Sequence, residues 1–134
     1  MTISIDTNVC ISILRGDPVL RRRLAMHDPD EIVLSSIVHF ELMTGENKLR
    51  EAGRMGRHFA TLFGHVAVLE FSRDDADAAA EIRASLERDG RGIGPLDTLI
   101  AGQALARGLT VATNNVREFS RVPGLKIEDW LAPP

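Results

Sequence analysis

The stretch Ile3-Ser4-Ile5-Asp6-Thr7-Asn8 sets a short β-branched run directly against an acid and two small polar residues. Ile3–Ile5 alternates in the manner of a strand, and Asp6 arrives at its carboxyl end. Further strand candidates follow at Ile32–Leu34, Val66–Leu69, Thr110–Ala112 and Leu125–Ile127. Between them, helical stretches cover roughly residues 8–27, 36–63, 73–89 and 96–107. Strands alternating with helices predict an α/β fold, a mainly parallel sheet with helices on both faces. Ligands of such sheets bind beyond the carboxyl ends of the strands. The residues that follow each strand are therefore the candidates for chemistry, and Asp6 is the first.

Local signals mark the boundaries. Ser72-Arg73-Asp74-Asp75 fits a capping box opening the third helical stretch. Pro95 suits a first helical turn and Gly108 the matching stop. In the second stretch, Gly45 and Gly53 predict a break between two packed helices. Its later part sets Met55, Phe59 and Leu62 on one face and Arg50, Arg54 and Arg57 on another. With 134 residues and no internal repeat, one domain spanning 1–134 is expected.

Composition narrows the class. A chain 44% hydrophobic and 26% charged is neither disordered nor a membrane bundle. Nineteen acids against sixteen bases give a net charge of -3, which runs against the basic footprint usual for nucleic-acid binding. Fourteen of the sixteen bases are Arg, whose planar fork suits phosphate. Cys10 is the only cysteine, so there is no disulfide framework and no thiolate metal site; it reads as a buried thiol in Val9-Cys10-Ile11. No apolar run has the length of a membrane span, and the N-terminus enters the first strand without a charged leader. A reducing cytoplasm is the expected setting.

Several carboxylates stand where ordinary packing does not want them. Asp6 could cap the next helix. Glu41 lies in the apolar run Ser36-Ile37-Val38-His39-Phe40-Glu41-Leu42-Met43 and shares a face with Ile37 and Val38. A buried carboxylate must be paired, protonated or bound to metal. Asp97, in Gly94-Pro95-Leu96-Asp97, begins a helix whose dipole favours an acid. It also heads a stripe of small residues, Ala101, Ala104 and Gly108, that suits close packing on a sheet. Thr113-Asn114-Asn115 and Glu118 follow the fourth strand candidate. Acids converging at one sheet edge would repel, and a divalent cation resolves that conflict. Oxygen ligands favour Mg²⁺ or Mn²⁺, while the four scattered His make a His-liganded zinc site improbable on spacing alone.

In this ordered set the chain resembles the PIN-domain ribonucleases, and among them the VapC toxins of bacterial type II toxin–antitoxin modules. The resemblance rests on Ile5-Asp6-Thr7-Asn8, Ser36 through Glu41-Leu42, Gly94-Pro95-Leu96-Asp97 with Ile100-Ala101, and Thr113-Asn114-Asn115 with Glu118-Phe119. The ending, Val122-Pro123-Gly124-Leu125 and Glu128-Asp129-Trp130, is similar to one VapC branch. It implies a three-layer α/β/α sandwich and a metal-dependent endoribonuclease. Asp6, Glu41 and Asp97 match the family's three acidic positions. Many relatives carry Asp at the position of Asn115 or of Glu118, whereas this chain has an amide and a Glu there, which bears on a second metal.

On that resemblance, Asp6 and Asp97 bind the principal metal and Glu41 serves as ligand or water-orienting base. Thr7, Asn115 and Glu118 support them. A metal that activates water predicts products with 5′-phosphate and 3′-hydroxyl ends. The resemblance also implies a tRNA substrate, with the initiator tRNA anticodon loop a candidate, a homodimer, and a VapB-type antitoxin. Arg50, Arg54 and Arg57 are the candidate phosphate contacts, with the Met55/Phe59/Leu62 region the candidate antitoxin surface. Arg21-Arg22-Arg23 reads rather as a solvated face.

Two other readings remain. A haloacid-dehalogenase-like phosphotransfer enzyme would want a second Asp two residues after Asp6, where this chain has Asn8. A PIN-like scaffold without activity would not need Asp6, Glu41 and Asp97 together.

Overall fold

Apolar strand residues build the centre of the molecule. The computed structural model describes residues 1–53 and 62–134. Its strands are β1 (Ile3–Ile5), β2 (Ile32–Ser35), β3 (Ala67–Leu69), β4 (Thr110–Ala112) and β5 (Lys126–Glu128). The helices among the described residues are α1 (Thr7–Leu14), α2 (Pro18–Ala25), α3 (Ser36–Glu51), α4 (Arg73–Arg88), α5 (Pro95–Arg107) and the short α6 (Val116–Phe119). A 3₁₀ turn at Pro29–Glu31 leads into β2.

The five strands form one sheet in the order β3-β2-β1-β4-β5, every neighbouring pair parallel. Ile3 pairs with Ile32 on one side and Thr110 on the other. The chain runs from β1 outward to β3, then returns across the sheet to lay β4 against β1. Right-handed crossovers in the two directions place helices on opposite faces, the three-layer α/β/α arrangement expected. The reversal also makes the carboxyl end of the β1/β4 pair a switch point, where such sheets open a crevice. Both strands are buried throughout, as their apolar content requires.

Three local expectations need correction. The helical stretch at 8–27 is two helices. Gly16 takes a φ of +96°, a left-handed conformation that ends α1. Asp17 Oδ1 then accepts the backbone N–H groups of Val19 and Leu20, and Pro18 opens α2. Gly45 does not break a helix: it lies exposed within continuous α3, which reaches Glu51 before Gly53 takes a φ of +72°. Residues 116–119, outside the expected helical stretches, form α6. The strand ends at Ser35, Ala67 and Glu128 differ from expectation by one residue each.

The capping box is present: Asp75 N–H donates to Ser72 Oγ and Ser72 N–H to Asp75 Oδ2. The small residues of α5 do two jobs. Ala101 and Ala104 are buried in the core, while Gly102 meets α4. A Cβ on Gly102 would lie 2.5 Å from Ala79 Cβ and 2.6 Å from its Cα and N, so backbone would have to move. Gly102→Ala is expected to cost about 1–3 kcal/mol by overpacking, measured by chemical denaturation.

Candidate active site

Each parallel strand that ends in the crevice delivers a polar residue. β1 delivers Asp6, which is 3% exposed. Asp6 N–H donates to Ala112 O across the β1/β4 seam (3.0 Å), which fixes the backbone at the sheet edge. Its side chain is held at both oxygens. Oδ1 accepts the Val9 N–H at 2.9 Å as the N-cap of α1, and Oδ2 accepts the Thr113 hydroxyl from the end of β4. The capping role considered from sequence is therefore real, and it orients the carboxylate rather than excluding a functional role.

β2 ends at Ser35, which caps α3 through an N–H bond from Ile37. Glu41 stands on α3 after Val38, whose face is core. It is half-buried, and Thr7 of α1 donates its hydroxyl to Glu41 Oε1 at 2.6 Å. No cationic side chain pairs with Glu41 among the described residues. Asp97 is the third residue of α5, which Pro95 opens and Gly94 caps. Asn115, at the start of α6, donates its amide to Glu118 Oε2 at 2.6 Å and reaches Asp97 Oδ2 at 3.5 Å, the limit of a hydrogen bond.

The four acids thus come from the beginning, middle and end of the chain. Burial pushes the Asp97 carboxyl up to about 6, helped by the charges of Asp6, Glu118 and Glu41, with the Asn115 amide opposing. Burial also raises Asp6, against the hydrogen bonds from Thr113 and Val9, and Glu41 adds to the rise. The charges of Asp6, Glu41 and Glu118 all bear on Asp97, so the four carboxylates share one electrostatic environment. Cys10 sits beneath them, fully buried, and its thiol is pushed far upward by burial, an inert core residue as expected.

The donor chemistry fits a hard divalent cation. The oxygens are anionic, and among the described residues no Lys or Arg offsets them through an ion pair. Among those residues no three His, Cys, Asp or Glu side chains form a preassembled cage. Mg²⁺ ordinarily takes one or two carboxylates and completes its shell with waters and substrate phosphate, so an ion held by Asp6 and Asp97 would need no such cage.

The structure brings Asp6, Thr7, Glu41, Asp97, Asn115 and Glu118 into one crevice. Thr113 has no role in the sequence reading, although it directly follows β4, opposite Asp6. Its Oγ1 donates to Asp6 and accepts the Asn115 N–H (2.8 Å), coupling the β1 and β4 ends. A hydroxyl placed directly after a strand was the available signal. The phosphate candidates fare differently. Arg50 is exposed nine residues beyond Glu41 on α3, about 13 Å along the helix. Arg54, Arg57, Met55 and Phe59 lie outside the described residues. In the Arg21–Arg23 run, Arg21 donates to Ile13 O, and Arg23 donates to Ala132 O and lies over the Trp130 ring, so both have structural partners.

Comparison with known proteins gives the family and agrees with the fold. The PIN-domain family profile matches residues 3–125. The chain is 40% identical over 129 residues to a tRNA(fMet)-specific endonuclease VapC of Salmonella typhimurium, covering 94% of this chain and 96% of that protein. A protein of the same name from Shigella flexneri is 37% identical over 126 residues, with the same coverage. Among solved structures, a chain of the DNA-bound VapBC from Salmonella typhimurium superposes with a TM-score of 0.85 at 36% identity, covering 97% of this chain and 98% of that one. With matching fold, length and sequence, the chain belongs to the PIN-domain family, among its VapC ribonucleases.

Proposed function

We propose that the chain is a divalent-metal-dependent endoribonuclease that hydrolyses tRNA and thereby inhibits translation, restrained by a VapB-type antitoxin. The observation that carries this reading is the convergence of Asp6, Glu41, Asp97 and Glu118 at the β1/β4 switch point, where burial first and then the other three charges push the Asp97 carboxyl up to about 6. Asp6 and Asp97 would hold the ion, with Mg²⁺ or Mn²⁺ suited to their oxygens. When bound, such an ion neutralises charge on an attacked phosphate and makes water a stronger nucleophile.

The surrounding residues prepare that chemistry. Val9 N–H and the Thr113 hydroxyl hold Asp6 in one rotamer. The Thr7 hydroxyl occupies Glu41 Oε1, leaving Oε2 to orient water or accept its proton. The Asn115 amide holds Glu118 beside Asp97 without adding charge, a supporting role for both.

The names of the Salmonella and Shigella relatives support initiator tRNA as the substrate at 37–40% identity. A cavity of about 430 Å³ between α1 and α3, lined by Ile11, Leu14, Leu42 and Leu49, runs up to Glu41 and suits an apolar antitoxin segment that would block the acids. Of the expected Met55/Phe59/Leu62 surface, Met55 and Phe59 lie outside the described residues and Leu62 packs, partly buried, against the core. A homodimer in the cytoplasm completes the reading, and no described helix is long and apolar enough to cross a membrane.

Cleavage of tRNA in Mg²⁺ or Mn²⁺, lost in EDTA and leaving 5′-phosphate and 3′-hydroxyl ends, is the expected result. Products with 2′,3′-cyclic phosphates would overturn the mechanism, because the ribose hydroxyl would then be the nucleophile. In melting experiments, metal at ten times its Kd is expected to stabilise the fold by about 1.4 kcal/mol, a rise in Tm of roughly 5 °C. An unchanged Tm at all metal concentrations would count against a cation site.

A further inference from the structure

Four acids at one crevice leave the phosphates flanking a scissile bond without a counter-charge, and the rim of that crevice supplies one. We infer that Arg117, Arg121 and Arg91 form a phosphate-holding rim that seats the RNA backbone across α6 and the loop before α5. The inference rests on the ribonuclease reading and adds to it where the substrate lies.

Arg117 is exposed on α6, one residue before Glu118. Arg121 follows α6 and donates from Nη1 to Gly92 O at 3.0 Å, which ties the post-β4 segment to the loop entering α5. That loop passes directly beside the acids: at Gly94 a Cβ would lie 3.5 Å from Asp97 Oδ2. Arg91 is exposed next to the tether at Gly92. The Arg121 guanidinium is thus anchored two residues from the glycine that borders Asp97, and Arg117 shares a helix with the Glu118 that Asn115 holds.

Place distinguishes these three, since Arg15, Arg22, Arg73 and Arg88 are also without a carboxylate partner among the described residues. Arg21 and Arg23 hold backbone carbonyls far from the acids, whereas Arg121 holds one, Gly92 O, at the loop beside Asp97; Arg83 pairs with Glu87, and Arg107 pairs with Asp75. Arg91, Arg117 and Arg121 pair with no carboxylate among the described residues, although carboxylates lie close by in sequence. Exposed Arg91 and Arg117 keep their guanidinium forks for an external partner, and Arg121 keeps the N–H groups that Gly92 does not take; phosphate oxygens match them, since they accept two parallel N–H bonds. An acidic protein segment offers the same charge, but RNA is the anion whose neighbouring phosphates must lie here if cleavage occurs at Asp6 and Asp97. Contacts of this kind position the substrate without reading its sequence.

The test measures binding of fluorescently labelled tRNA in Mg²⁺, with Asp97→Asn as the common background to prevent cutting. Arg117→Gln and Arg91→Gln are each expected to weaken binding by about tenfold. Each should lower the slope of log Kd against log salt by about 0.7–1. Arg117→Lys should restore most of the slope, since it keeps the charge. Arg88→Gln, on α4, makes the same change in net charge and should leave the slope unaltered. Exposed Arg117 and Arg91 leave the Tm unchanged when substituted, so loss of fold does not imitate the result. If the background protein binds tRNA but both Gln variants keep its slope, or Arg88→Gln lowers it equally, the rim is wrong while the ribonuclease reading stands. If the rim variants lose only the capture of an acidic peptide and not of tRNA, the surface serves a protein partner and the inference is overturned. If the background protein shows no binding to tRNA and the wild type no cleavage, the ribonuclease reading itself fails.

Discussion

Asp97→Asn is expected to reduce RNA cleavage by at least about 10²-fold while making the metal-free protein more stable. Both effects have one origin. Burial, reinforced by Asp6, Glu118 and Glu41, raises the Asp97 carboxyl from 3.8 to about 6. Between those values the folded chain retains a proton that the unfolded chain has released, so stability falls as pH rises through the window and stays lost at pH 7. The cost is about 2 kcal/mol after allowing for partial exposure. An amide of the same shape carries no charge to repel, so in EDTA at pH 7 the variant should melt roughly 5–8 °C higher. At pH 4 the two proteins should differ little. A variant that cuts RNA like the wild type, or one that melts lower in EDTA, would remove Asp97 from the role assigned to it.

The second large effect lies away from the crevice. Asp75 is 1% exposed and accepts from Arg107 Nε at 3.2 Å and Nη2 at 3.0 Å, from the Gln103 amide, and from the Ser72 N–H. Burial would raise its carboxyl, but Arg107 first, then Ser72 and Gln103, outweigh that and hold it at about 2. Arg107→Ala leaves this buried charge unpaired, with an expected loss of about 3 kcal/mol and a fall in Tm of roughly 10 °C. The pH dependence has the opposite sign to that of Asp97. A depressed carboxyl contributes stability that is complete above about 4 and is lost as pH falls toward 2. The wild type should therefore lose stability over that acid window, and Arg107→Ala should lose much less there. Equal acid limbs in the two proteins would show that the pair does not govern the window.

Residues whose signal is local were legible from sequence. Ile3–Ile5 and Thr110–Ala112 are read at their observed bounds because β-branched runs buried on both faces leave no alternative. Asp6, Glu41 and Asp97 stand out because each interrupts an apolar or small-residue run, and an unpaired buried charge needs a reason. Asp75 was visible only as half of a capping box. Its bonds to Gln103 and Arg107 span 28 and 32 residues, and no local pattern announces them. Thr113 was hidden for the same reason, since its meaning comes from Asp6, 107 residues away. The helix break at Gly16 was a different failure. Arg15-Gly16-Asp17-Pro18 contains both a stop and a cap, but amphipathic spacing on either side masked them.

The distance in sequence between Asp6 and its partners also governs when the site comes into being. β1 pairs with β2 across 29 positions and with β4 across 107, and the β4 pairing is the one that brings Thr113 to Asp6. Such contacts form late, because the intervening loop must be closed before they repay its entropy. A chain emerging from the ribosome therefore carries its first acid through most of its synthesis with no second wall to the crevice. Only when the last fifth or so of the polypeptide is free can β4 insert beside β1. The proposed tRNA nuclease would in this way stay inert for as long as it remains a nascent chain on the ribosome.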